Sequence, residues 1–157
     1  MFLNESYYNN GQEVLPAENG NGSVWISGYD FAHNLNKLRH NGILGICSAV
    51  DLSFKYSPEF EQIKFDLDDC ESQKIGQHFQ EAYDFIEAQR KKTNVLVHCA
   101  AGISRSSAML ISYMMKKYSY NFDESLKRVR DKRGCVQPNS GFERQLREYE
   151  KELKLKK

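Results

Sequence analysis

His98, Cys99, Gly102, Arg105 and Ser106 stand together in the run His98-Cys99-Ala100-Ala101-Gly102-Ile103-Ser104-Arg105-Ser106. A thiol, a guanidinium, hydroxyls and a glycine at this spacing fit one chemistry, nucleophilic attack on a phosphate. The run is preceded by Asn94-Val95-Leu96-Val97, which reads as a strand, and followed by an apolar stretch from Ala108 to Met115, which reads as a helix. That order matters because the first turn of a helix carries amide N–H groups without intrahelical partners and a partial positive charge. Small residues in the loop let such amides converge on one anion. Gly102 permits a turn that a side chain would strain. Arg105, opening the helix, can grip two phosphate oxygens with its planar fork. The dipoles that hold a phosphate also stabilise a thiolate. Cys99 is therefore expected beneath the phosphorus, placed for in-line attack.

Other readings of the run explain less. A cysteine after a strand is most often an inert buried thiol, but that leaves Gly102, Arg105 and the two serines without a reason. A Walker A loop needs Gly-Lys-Ser/Thr, and the run has no lysine. A hydrolase nucleophile elbow needs a second glycine, and no histidine follows His98 to complete a triad. A leaving oxygen needs a proton, for which a carboxylic acid is the natural donor. Asp66, Asp68 and Asp69 crowd together ahead of a candidate helix, and at least one of them reads as a carboxylate on a solvated turn.

The elements that position these residues follow from periodicity. Val24-Trp25-Ile26-Ser27 reads as a strand ended by Gly28. Asp30 is expected to cap one helix with Phe31, Leu35 and Leu38 on its apolar face, ended by Asn41-Gly42. Ile43 to Cys47 reads as a strand buried on both faces, and Glu61 to Leu67 alternates as a strand does. A long helix is expected from about Gln73 to Lys92, with Ile75, Phe79, Ala82, Tyr83 and Ile86 at helical spacing. Two further helices are expected over about Asp123 to Arg133 and Gly141 to Leu153. Strands alternating with helices predict an α/β domain with a largely parallel sheet. Residues 1 to about 22, rich in Asn, Gly and Glu, are expected to form a mobile arm with one short strand near Glu13-Val14-Leu15.

Bulk properties set limits. The chain has 157 residues, 40% hydrophobic and 27% charged, which suits one globular domain. A formal net charge of +1 gives no global field for nucleic acid or an anionic membrane, so any anion site must be local. Cys47, Cys70, Cys99 and Cys135 form no CxxC pair, which argues against a zinc site and for free thiols in a reducing compartment. No apolar run reaches membrane-spanning length, and Met1 to Glu5 carries no signal-peptide pattern. The expected compartment is the cytoplasm or the nucleus. The run Lys127, Arg128, Arg130, Lys132 and Arg133 reads as a solvated helix face rather than a nucleic-acid patch.

On these residues, His98-Cys99-x-x-Gly102-x-x-Arg105-Ser106 resembles the signature of cysteine-based protein phosphatases, and Val97 to Ser106 resembles the dual-specificity branch. The resemblance spans about residues 22 to 153. It implies a central, largely parallel twisted sheet of about five strands flanked by helices, in a single catalytic domain over residues 23–157. It implies hydrolysis of phosphotyrosine and phosphoserine/threonine in proteins through a cysteinyl-phosphate, with no metal and no cofactor. By resemblance Cys99 is the nucleophile, and Ala100, Ala101, Gly102, Ile103, Ser104 and Arg105 hold the phosphate. Ser106 bonds the sulfur and helps it leave, and His98 is a buried support. The acid is Asp69, ten residues before Phe79, with Asp68 as the alternative. Asn139, within Pro138-Asn139-Ser140-Gly141-Phe142, braces the loop, although the same letters punctuate any turn before a helix. Cys47 or Cys70 could pair with Cys99 on oxidation, a packed thiol being the plainer reading of Cys47. Ala100, Ala101 and Ile103 add no lysine for a polyanionic inositol head, which favours a phosphoprotein. A monomer without nucleic-acid or membrane partners is expected. The alternatives are a phosphate-binding pseudophosphatase and an RNA 5′-phosphatase.

Overall fold

The computed structural model describes residues 9–51 and 53–156. Five strands form one sheet in the order β1-β2-β5-β3-β4: β1 Gln12–Leu15, β2 Val24–Ser27, β3 Ile43–Ser48, β4 Glu61–Lys64 and β5 Asn94–His98. β1 runs antiparallel to β2, and every other pairing is parallel. Six α-helices accompany it among the described residues: α1 Tyr29–Ala32, α2 Leu35–His40, α3 Phe79–Arg90, α4 Arg105–Tyr118, α5 Phe122–Lys132 and α6 Ser140–Leu155.

The two faces of β5 divide the core. Val95 and Val97 pack with α3 to α6, whereas Leu96 turns to the smaller cluster of Phe31, Ala32 and Leu38. A period of two thus serves two apolar faces, which is why the central strands read as unbroken hydrophobic runs. α4 is the central helix, buried continuously from Ser106 to Met115. Among the described residues no helix is long and apolar enough to cross a membrane.

Three elements differ from expectation. The helix expected from Asp30 is two helices, because Asn34 accepts from Lys37 N and starts α2 afresh; Gly28, not Asp30, is the cap of α1. The helix expected from Gln73 begins later, with a 3₁₀ turn at Gly76–His78 and then α3. Gln145 is the cause: its side chain donates to Gln73 O and accepts from Gly76 N, taking backbone groups a helix would use. β4 ends at Lys64 rather than Leu67, although Phe65 and Leu67 beyond it are both buried, as the alternation implies.

Residues 12–15, expected within a mobile arm, are the edge of the sheet, with Val14 and Leu15 buried. Two buried arginines hold this part of the chain. Arg90 donates to Gly22 O and Pro16 O, and Arg133 donates to Asn10 O. A buried guanidinium must find acceptors, and here it finds them in backbone near the N-terminus. Residues 1–8 of the expected arm lie outside the described residues.

Candidate active site

β5 carries the chain to the carboxyl edge of the sheet, with His98 in register between Ser27 of β2 and Ser48 of β3. Cys99 follows, 2% exposed, and α4 begins at Arg105. Between them the carbonyls of five consecutive residues are tied outward. Ala100 O accepts from Tyr29 N, Ala101 O from Arg133 Nη2, and Gly102 O from Arg133 Nε. Ile103 O accepts from Gln137 N and Ser107 Oγ, and Ser104 O from Ala108 N and Ser107 Oγ. In a trans peptide the next N–H points opposite to each carbonyl. The amides of residues 101 to 105 therefore face the other way, into the loop, and form an anion-binding nest at the start of α4. Gly102 holds the tightest turn, at φ +69. A Cβ there would sit 2.6 Å from Ser27 C and 2.7 Å from Gly28 N.

Charged and polar side chains converge on this loop. Cys99 Sγ lies 3.2 Å from Ser106 Oγ, and Ser106 is fully buried. Arg105 donates from Nη1 to Leu67 O at 2.9 Å, while its buried Nε has no partner among the described residues. Buried guanidinium N–H groups are usually paired, and an anion bound above Cys99 would offer this one an acceptor.

The segment carrying the three aspartates is held against the start of α6. Asn139 donates from Nδ2 to Asp69 Oδ1 at 2.9 Å, and its backbone N donates to Ser104 Oγ at 3.0 Å. One residue thus touches both the phosphate loop and a candidate acid. Ser140 Oγ bonds Glu71, and a Cβ on Gly141 would lie 2.2 Å from Glu71 O. Asp68 is engaged through its backbone N, which donates to Gln73 Oε1, and its side chain is exposed.

His98 is fully buried and links three residues. Gln62 donates to Ser48 Oγ at 2.9 Å, Ser48 Oγ lies 2.7 Å from His98 Nε2, and Nδ1 lies 3.3 Å from Cys99 O. This chain assigns the neutral ring with its proton on Nδ1. Burial pushes the imidazole down to about 4, and His33 adds to the effect, against the hydrogen bond with Cys99. The ring is a fixed support and carries no charge near neutrality.

Each residue expected in the site is found at this edge of the sheet. Ala101, Gly102, Ile103, Ser104 and Arg105 turn their amides into the nest and Ala100 opens it through its outward carbonyl, Cys99 and Ser106 lie at its base, and Asn139 joins Ser104 of the loop to Asp69. Three contributors were not expected there: Ser48, Gln62 and Arg133. Arg133 corrects the reading of a solvated basic face, since it is 0% exposed. The neighbouring cations are paired locally, Lys127 with Asp131 and Arg128 with Glu124. A signal for Arg133 was present: Phe122, Ser125 and Val129 are the buried positions of α5, and Arg133 continues their spacing. Cys47 packs in the core, and burial, reinforced by Glu81, pushes its thiol up to about 12. Cys70 is exposed, and all four cysteines are free.

Residues 24–152 match the family model of the dual specificity phosphatase catalytic domain. The chain is 40% identical over 143 residues to MAP kinase phosphatase with leucine-rich repeats protein 3 of Dictyostelium discoideum, covering 90% of this chain and 16% of that protein. It is 35% identical over 143 residues to dual specificity protein phosphatase 22 of Mus musculus, covering 88% of this chain and 73% of that one. The crystal structure of DUSP15 superposes with a TM-score of 0.82 at 26% identity, covering 95% of this chain and 97% of that chain.

Proposed function

Because the chain belongs to the dual specificity phosphatase family, we propose that it hydrolyses phosphate monoesters on proteins through a cysteinyl-phosphate intermediate. The observation that carries this reading is the set of outward-tied carbonyls at residues 100–104, which turns successive amides toward an anion above Cys99. Cys99 Sγ attacks phosphorus as the P–O bond to the leaving oxygen breaks. Asp69 gives that oxygen its proton. Asn139 occupies Oδ1 of Asp69, which leaves Oδ2 to carry the proton. In the second step Asp69 takes a proton from water, the water oxygen bonds phosphorus, and the S–P bond breaks. Ser106, 3.2 Å from the sulfur, donates a hydrogen bond to the departing thiolate. Arg105 and the loop amides stabilise the equatorial oxygens in both steps.

The absence of lysine from Ala100 to Ser104 favours phosphotyrosine and phosphoserine/threonine proteins over a polyphosphorylated lipid. A pseudophosphatase reading is not favoured, since nucleophile, arginine and acid are all present at one site. Four free thiols favour a reducing compartment, cytoplasm or nucleus. The test is turnover of an aryl phosphate and of phosphopeptides by the wild type and Cys99→Ser. The wild type is expected to hydrolyse both, and the variant to lose activity by at least about 10³-fold while unfolding at the same temperature. Turnover retained by Cys99→Ser sinks the mechanism.

A further inference from the structure

Arg133 joins two parts of the chain that are far apart in sequence. From one side of the guanidinium, Nε donates to Gly102 O at 2.9 Å and Nη2 to Ala101 O at 3.1 Å. From the other, Nη1 donates to Asn10 O at 3.0 Å and to Gln12 Oε1. The residue is 0% exposed, so water cannot replace an acceptor that is lost. The guanidinium is planar and rigid. Its hold on the loop therefore depends on the acceptors that fix its other end.

The two carbonyls it holds are critical ones. Each fixes the peptide plane whose N–H, at Gly102 or Ile103, faces the anion. If the plane between Ala101 and Gly102 rotated, it would present a carbonyl to the phosphate in place of an amide. Gly102 is where rotation is least restrained, because glycine has both signs of φ open to it. Its neighbour Ala100 is held by backbone, through Tyr29 N, and Ile103 by Gln137 N and Ser107 Oγ. The central part of the nest relies on one side chain.

We propose that Arg133 is a positioning residue for the phosphate loop, and that the segment around Asn10 and Gln12 acts through it to set the loop's affinity for a phosphate dianion. The proposal rests on the loop being a phosphate site and adds a means of regulating it. β1, which begins at Gln12, is an edge strand, paired among the described residues with β2 alone. Edge strands are the parts of a sheet most open to displacement or to pairing with another chain. Whatever displaces β1 would remove two acceptors from Arg133 and loosen the nest without touching the catalytic residues.

The experiment separates binding from turnover. Inorganic phosphate is titrated calorimetrically into Cys99→Ser protein, alone and combined with Gln12→Ala, Arg133→Lys or Arg133→Met. Phosphate affinity is expected to fall about threefold with Gln12→Ala and at least about tenfold with Arg133→Met. Arg133→Lys should not restore it, because an ammonium cannot bridge both sides. In the Cys99-containing forms, Gln12→Ala should raise KM for an aryl phosphate more than it lowers kcat. Wild-type phosphate affinity in Gln12→Ala, or full restoration by lysine, overturns the clamp. Gln12→Ala keeps the question decidable if Arg133→Met fails to fold. Absence of turnover in the wild type would count against the phosphatase reading, whereas phosphate binding indifferent to Gln12 and Arg133 would count against the clamp alone.

Discussion

Asp68 and Asp69 are adjacent carboxylates distinguished by their contacts. Both residues are exposed, but Asn139 fixes one side-chain oxygen of Asp69 and bonds the phosphate loop through Ser104, whereas Asp68 is engaged through its backbone N, which donates to Gln73 Oε1. A proton donor must be held over the leaving oxygen, and only contacts of the first kind do that. Asp69→Ala is therefore expected to lower kcat by about 10²-fold on phosphoserine peptides, whose leaving oxygen needs its proton. The loss should be smaller on p-nitrophenyl phosphate, whose leaving group departs without help. Asp68→Ala should leave both rates within about twofold. Steady-state kinetics on the two substrates decide it, and the reverse pattern would transfer the role to Asp68. The aspartate cluster was legible in the sequence. The choice within it rests on a contact between residues 69 and 139, which no local pattern encodes.

At the scale of elements, the loop between β5 and α4 works because of its backbone. Gly102, at φ +69, has Ser27 and Gly28 packed where a Cβ would lie. Gly20 has a similar φ, +79, but open space around it. The pair separates conformational strain from close packing. Gly20→Ala should cost about 1–2 kcal/mol, from the left-handed backbone alone. Gly102→Ala adds the cost of overpacking and should reach about 2–5 kcal/mol, read from urea unfolding. Equal effects would mean that the loop shifts freely to admit a methyl group. The two-helix form of the expected Asp30 helix, and the late start of α3, show the same limit of sequence reading. Apolar spacing located the elements, but the side chains of Asn34 and Gln145 decided their ends.

For the molecule as a whole, the buried His98 makes stability depend on pH. Its folded-state value, about 4, lies below the 6.5 of an unfolded histidine, so the unfolded chain binds more protons between these values. The contribution to stability is fully present above about pH 6.5 and is lost as pH falls toward 4. Burial lowers His33 as well, with the same sign. The carboxylates whose values are lowered, such as Glu87 and Glu150, act only at lower pH, in the range below 4.5. Urea midpoints are thus expected to fall from pH 7 to pH 5, with a shallower slope in His98→Gln. An unchanged slope would place the pH dependence elsewhere.

The sequence by itself pointed to the chemistry proposed for the site. A thiol, a glycine and an arginine at fixed spacing between a strand and a helix specify a phosphate cradle, because that geometry is made by neighbours in the chain. Only the tertiary structure decided what holds the cradle in shape. Ser48 of β3 meets His98 and is itself held by Gln62 of β4, Asn139 reaches Asp69 from the cap of the last helix, and Arg133 ties Gly102 to the edge strand. These partners are separated along the chain and are brought together by the order of the strands and the burial of α4. Arg133 shows the difference most clearly. By composition it belonged with the four other cations of that run, and by its place just after α5 it faces the core, where a charge persists only if the surrounding backbone turns its carbonyls toward it.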